Sequence, residues 1–106
     1  MITDAEIQDV TNKIIEFIHP QKILLFGSYA KGTANEHSDL DLLVIVENSD
    51  LPKKKREILL YHQLGNQYNF PKDILIRTAS EVEEWKNVRQ AFITTAVNEA
   101  KVLYEK

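Results

Sequence analysis

Asp39 and Asp41 stand two residues apart at the head of an apolar run, Leu40 to Val46, and a third carboxylate, Asp73, stands at the head of another, Lys72 to Thr78. On an extended strand, residues i and i+2 face the same way with Cα atoms roughly 6.6 Å apart, so Asp39 and Asp41 turn both carboxylates to one side. Such a pair suits a hard divalent cation such as Mg²⁺, which takes oxygen ligands and needs only one or two carboxylates when substrate phosphates complete its shell. Two ions about 3.5–4 Å apart can clamp the attacking and leaving oxygens of a phosphoryl-type displacement, and Asp73 would complete a site for them. Gly27-Ser28, directly after the run Lys22 to Phe26, supplies the other half. Exposed backbone N–H groups at a helix start and a small hydroxyl make a cradle for phosphate oxygens, and glycine admits a phosphate that a side chain would hold off. Gly27 and Gly32 have the glycine spacing of a P-loop, but Thr33 and Ala34 stand where Lys-Ser/Thr would be required, so that motif is absent.

The elements that must position these residues can be read from pattern. Thr3-Asp4-Ala5-Glu6 is a capping box, and Ile7, Val10, Ile14, Phe17 and Ile18 follow helical spacing, which predicts a helix from Asp4 to Ile18, ended by His19-Pro20. Lys22 to Phe26 reads as a buried strand, Ser28 to Lys31 as a short helical turn closed by Gly32, and Thr33 to Ser38 as a polar loop. Leu40 to Val46, rich in β-branched and aliphatic residues, reads as a central strand. Lys53 to Gly65 is expected to be a helix with a ragged apolar face of Ile58, Leu59, Tyr61, His62 and Leu64, and Lys72 to Thr78 a third strand. Ser80-Glu81-Val82-Glu83 reads as a second capping box leading toward Trp85. Asn87 to Ala100 follows as a helix with Val88, Phe92, Ile93, Ala96 and Val97 on one stripe, and Lys-Val-Leu-Tyr-Glu at the end as an edge strand.

Composition narrows the function classes. The 106 residues fit one compact domain, 43% hydrophobic and 27% charged, with no apolar run near the roughly 20 residues that cross a bilayer, so no membrane role is expected. The acidic N-terminus lacks the features of an export signal and there is no cysteine, which makes the reducing cytoplasm the expected location. A net charge of −3 argues against broad nucleic-acid binding, which depends on neutralising phosphates.

The stretch GSYAKGTANEHSDLDLLV, Gly27 to Val44, resembles the signature of the DNA polymerase β-like nucleotidyltransferases: Gly-Ser, then Asp-x-Asp, with a third acid on a later strand. Gly-Ser-Tyr-Ala-Lys-Gly-Thr-Ala and the closing Lys-Val-Leu-Tyr-Glu are similar to the minimal nucleotidyltransferases (MNT), known as antitoxin partners of HEPN ribonucleases. The resemblance runs from Ile14 to Tyr104 and is sharpest over Phe26 to Val44. It implies an α/β (α+β) fold with a small mixed sheet flanked by helices, formed by a single minimal domain. It further implies a Mg²⁺-dependent enzyme that moves AMP from ATP to a hydroxyl and releases pyrophosphate. Gly27 and Ser28 would hold the triphosphate, Asp39 and Asp41 would bind metal, with two ions in all, and Asp73 would bind the metal nearer the acceptor and help deprotonate its hydroxyl. The acceptor implied is a tyrosine of a HEPN toxin, met in a hetero-oligomer, with this chain as antitoxin. Family members often carry Arg in the turn where this chain has Lys31, which keeps the charge but loses bidentate phosphate geometry.

Two other functions fit the same residues: a binding antitoxin that neutralises by occlusion without catalysis, and a nucleotidyltransferase with a small-molecule acceptor. Ser28 fits both a helix cap and a phosphate ligand, because the two use one geometry. Lys53-Lys54-Lys55-Arg56 reads as a solvated helix face, His37 as a solvated loop residue and Trp85 as a core or partner-facing residue.

Overall fold

A computed structural model describes residues 1–86 and 99–106. The first helix, α1 (Asp4–Ile18), starts on the expected capping box. The Thr3 hydroxyl accepts the Glu6 N–H at 3.1 Å, and Glu6 Oε1 accepts the Thr3 N–H at 3.0 Å. Ile7, Val10, Thr11 and Ile14 are buried, while Phe17 is turned outward. Thr11 is tolerated inside because its hydroxyl donates to the Ile7 carbonyl at 2.7 Å. His19 ends the helix in the left-handed conformation, φ 55°, its N–H returned to the Ile15 carbonyl, and Pro20 follows directly.

The strands β1 (Lys22–Phe26), β2 (Leu40–Val46), β3 (Lys72–Thr78) and β4 (Lys101–Glu105) form one sheet among the described residues, in the order β3-β2-β1-β4. β2 lies antiparallel to β1 and parallel to β3, so the sheet is mixed, as expected, and β4 is the edge strand that its sequence suggests. Both faces of β2 are covered, which explains its unbroken apolar run. Leu40, Leu42 and Val44 join Ile23, Leu25, Ile74 and Ile76 in the main core under α1 and α3 (Lys53–Leu64). Leu43 faces the other way, with Leu24 and Phe26, under Trp85 of α4 (Ala79–Lys86).

α3 departs from its expected face. Arg56, Leu60 and Leu64 are its buried residues, whereas Ile58 and Leu59 are exposed. The basic run is therefore not uniformly solvated: the Arg56 guanidinium reaches Glu81 at 2.6 Å and the Leu51 carbonyl at 2.9 Å, and Lys53 lies over the Trp85 ring. Next to the buried stripe, Tyr61 and Glu57 serve the outer edge of β3: the Ile74 N–H donates to the Tyr61 hydroxyl at 2.8 Å and the Ile76 N–H to Glu57 Oε2 at 3.1 Å. Four helical residues advance roughly 6 Å and two strand residues roughly 6.6 Å, so side chains four apart on α3 match N–H groups two apart on β3. Glu81 takes the next outward N–H, that of Thr78, at 2.7 Å. An edge strand that would otherwise offer a row of donors is closed by side chains.

The second capping box lies two residues earlier than the sequence suggests. Thr78, not Ser80, caps α4: its hydroxyl accepts the Glu81 N–H while Glu81 accepts the Thr78 N–H. Ser80 is already helical, because β3 passes into α4 without a loop and only Thr78 retains extended backbone at the junction. The stripe expected over Asn87 to Ala100 falls on residues 87–98, outside the described residues.

Candidate active site

The three carboxylates come together at one end of the sheet. Asp41 pairs with Asp73 in the parallel register and with Phe26 in the antiparallel one, so the heads of β2 and β3 meet the end of β1. Side-by-side residues point to the same face, roughly 4.8 Å apart, and Asp39, just before the strand begins, lies close enough for its charge to act on Asp41. The Leu40 N–H donates to the Pro71 carbonyl at 2.9 Å and locks the two strand heads together. The loop before Asp39 is pinned by Asn35, whose side chain accepts the His37 N–H at 2.8 Å and whose N–H donates to Ser38 Oγ at 2.9 Å. His37 itself is exposed, as expected of a loop histidine.

Asp39 and Asp73 are exposed and Asp41 is half-buried. Burial pushes the Asp41 carboxyl above the usual carboxylate range, and the charges of Asp73 and then Asp39 push it further the same way. None of the three forms an ion pair with a Lys, Arg or His among the described residues. Among the described residues the site is a concentration of negative charge whose three acids have no ion-pair partner. Lys31, the one cation of the neighbouring turn, is paired with Glu99 at 3.1 Å.

Gly27 lies against this cluster. Its backbone, φ 72° and ψ −154°, is in a region essentially reserved for glycine, and a Cβ there would fall 2.3 Å from Asp41 Oδ2. The missing side chain is what lets the carboxylate lie over the turn. Gly27 is also the N-cap of α2 (Ser28–Lys31), whose first helical bonds run from the Ala30 and Lys31 N–H groups to the Gly27 carbonyl. The N–H groups of Ser28 and Tyr29 stay outside that ladder. The N-cap position falls on Gly27, which has no side chain, so Ser28 is the first helical residue and not the cap.

The polymerase β nucleotidyltransferase profile, described as Polymerase beta, Nucleotidyltransferase, matches residues 8–106. The chain belongs to this family. Among its relatives, a candidate protein adenylyltransferase of Methanocaldococcus jannaschii, MJ0141, is 34% identical over 77 residues, 73% of this chain and 72% of the relative. A second candidate protein adenylyltransferase of that organism, MJ1305, is 67% identical over 33 residues, 31% of this chain and 21% of the relative. A candidate nucleotidyltransferase from Sulfolobus solfataricus superimposes with TM-score 0.66 at 13% identity, covering 94% of this chain and 78% of the other. A toxin–antitoxin crystallised with AMP-PNP superimposes at 0.61 with 22% identity, covering 93% and 73%. A mutant of the toxin–antitoxin MntA–HpeT does so at 0.59 with 24% identity, covering 92% and 71%. These structures share the fold.

In this nucleotidyltransferase the sequence-derived residues Gly27, Ser28, Asp39, Asp41 and Asp73 all fall at one sheet end. Sequence reasoning missed Tyr61, which it placed on an apolar face. The hydroxyl accepts the Ile74 N–H at 2.8 Å and donates to the Lys72 carbonyl at 3.4 Å, on either side of Asp73. Burial raises the Tyr61 phenol above its ordinary value, the bond from Ile74 opposes this, and the charge of Asp73 adds to the rise. Its signal in the sequence is only its spacing of four from Glu57. Trp85 packs on the smaller core between Lys53 and Arg77, a structural position.

The donor set fits a hard divalent cation: every candidate ligand is a carboxylate oxygen, and a cation would offset both the burial of the Asp41 charge and the repulsion from Asp73 and Asp39 that adds to it. Among the described residues no three acidic, His or Cys side chains form a ready-made metal cage. No helix among the described residues is long and apolar enough to cross a membrane.

Proposed function

We propose that this nucleotidyltransferase is a Mg²⁺-dependent protein adenylyltransferase that moves AMP from ATP to a tyrosine hydroxyl of a HEPN-type toxin and so acts as its antitoxin. The observation that carries the reading is the pairing of Asp41 with Asp73 beside Gly27, which gathers the carboxylates and the glycine turn at one sheet end. The protein acceptor is supported by the relatives named as candidate protein adenylyltransferases, and the toxin by fold neighbours that are toxin–antitoxin pairs.

In this mechanism the Ser28 and Tyr29 N–H groups and the Ser28 hydroxyl hold the triphosphate oxygens. Asp39, Asp41 and Asp73 would hold Mg²⁺, which when bound offsets the charge of the triphosphate and acidifies the acceptor hydroxyl. Asp73, the more exposed of the paired acids, accepts the acceptor's proton. The acceptor oxygen bonds to the α-phosphorus, the bond from that phosphorus to the bridging oxygen breaks, and pyrophosphate leaves with the electron pair. Glycine at position 27 keeps the Asp41 carboxylate close to the seated phosphates.

The test is incubation with Mg²⁺ and ATP labelled at the α- or the γ-phosphate in extract of the native host, comparing wild type with Asp41→Asn. A protein band labelled only from the α-position, absent with the variant, is expected. If Asp41→Asn protects cells from the toxin as well as wild type does, occlusion and not transfer neutralises it.

A further inference from the structure

Among the described residues β3 is the outer strand of its side of the sheet, and β2 is the strand that holds the segment carrying Asp73. On the other side, among the described residues, the Tyr61 hydroxyl uses both its lone pair and its proton on the backbone that flanks Asp73: the Ile74 N–H at 2.8 Å and the Lys72 carbonyl at 3.4 Å. Tyr61 is itself well anchored, because its ring packs on the main core and its helix is fastened there by buried Leu60 and Leu64. Glu57 makes the equivalent bond to Ile76, two residues further from the acids. We propose that Tyr61 is a positioning residue for the third carboxylate, clasping β3 on both sides of Asp73 so that this acid is held at Asp41. The inference rests on the function proposed above.

The removal of only the hydroxyl, in Tyr61→Phe, keeps the ring and leaves the Ile74 N–H without its acceptor. Glu57→Leu is the control, since it deletes the neighbouring edge bond and the Arg77 pair while leaving the Asp73 segment clasped. Three quantities are measured on the full chain: exchange of the Ile74 amide by NMR, Mn²⁺ affinity by EPR with a non-hydrolysable ATP analogue, and kcat and KM for α-labelled AMP transfer. Tyr61→Phe is expected to speed Ile74 exchange and to lower Mn²⁺ affinity and kcat by about 10- to 100-fold, with KM for ATP unchanged. Glu57→Leu is expected to leave Ile74 exchange, Mn²⁺ affinity and kcat at wild-type level. A wild-type chain that binds no Mn²⁺ overturns both this inference and the proposed function. A wild-type chain that binds it, with Tyr61→Phe binding as tightly and turning over as fast, overturns the inference alone, as does an equal loss in Glu57→Leu.

Discussion

Replacement of Gly27 by alanine tests the link between the turn and the acids most directly, because one methyl group meets two separate constraints. The first is conformational. With φ 72° and ψ −154°, the position is in a region that costs a non-glycine residue on the order of 1–3 kcal/mol. In a domain of this size each kcal/mol lowers Tm by roughly 4–8 °C, so a fall of roughly 5–20 °C is expected. The second is local and falls on Asp41. The new Cβ would lie 2.3 Å from Oδ2, where ordinary contact begins at 3.4 Å, and the carboxylate must give way by about 1 Å. A displacement of that size in a reacting constellation costs about 100-fold in rate.

The two effects are separated by Gly32→Ala. Gly32 also has a positive φ, 75°, but nothing lies within 4 Å of a Cβ built there, so that variant carries backbone strain without touching the acids. Thermal melts and α-labelled AMP transfer on both variants form the assay. Both should lose stability, and only Gly27→Ala should lose about 100-fold in transfer when measured well below its Tm. Transfer at wild-type rate in Gly27→Ala, or an equal loss in Gly32→Ala, would refute the argument that this glycine exists to make room for Asp41.

Two further predictions concern the frame. Burial works to raise the Glu81 carboxyl, but its bonds with the Arg56 guanidinium and the Thr78 N–H outweigh this and hold it at about 2, below the ordinary 4.5. A depressed pKa stabilises the fold above the unfolded value, so about 3 kcal/mol should be lost as pH falls from about 4.5 toward 2, and urea melts across that range should show this part of the acid sensitivity missing in Glu81→Gln. Thr78→Ala should cost about 1 kcal/mol in the same melts and Ser80→Ala less than about 0.5, because only Thr78 caps α4; the reverse order would restore the cap to Ser80.

The sequence carried much of this structure where a single local rule governed the outcome. Thr3 with Glu6 set the start of α1, Pro20 its end, and the β-branched run Leu40 to Val46 the central strand. It misled where tertiary partners decided. Leu59 looks like a core residue and is exposed, while Arg56 looks like a surface charge and is buried, because Glu81, 25 residues away, offers it a carboxylate that no spacing rule on α3 can reveal. The shift of the second cap from Ser80 to Thr78 has the same origin: both positions carry a hydroxyl three residues before a Glu, and the choice depends on where β3 stops pairing with β2. Tyr61 escaped for a related reason, since a tyrosine among aliphatic residues gives no sign that its hydroxyl serves a strand edge.

The acids were legible because the register that buries the core also aims the site. On β3 the buried residues are Ile74, Ile76 and Thr78, and Asp73, one residue out of phase with them, must point to the other face. The same alternation on β2 buries Leu40, Leu42 and Val44 and turns Asp41 to that face. A slip of either strand by one residue would send its carboxylate under α1 and α3 and expose the aliphatic row, a loss far larger than any local preference could offset. Direction is thus enforced by the whole hydrophobic core, whereas position along the strand is held by a few bonds at the sheet end: Leu40 to Pro71, and Tyr61 to either side of Asp73. Substitutions in the core should therefore unfold the protein before they misdirect the acids, and substitutions at those end bonds should detune the acids in a chain that remains folded.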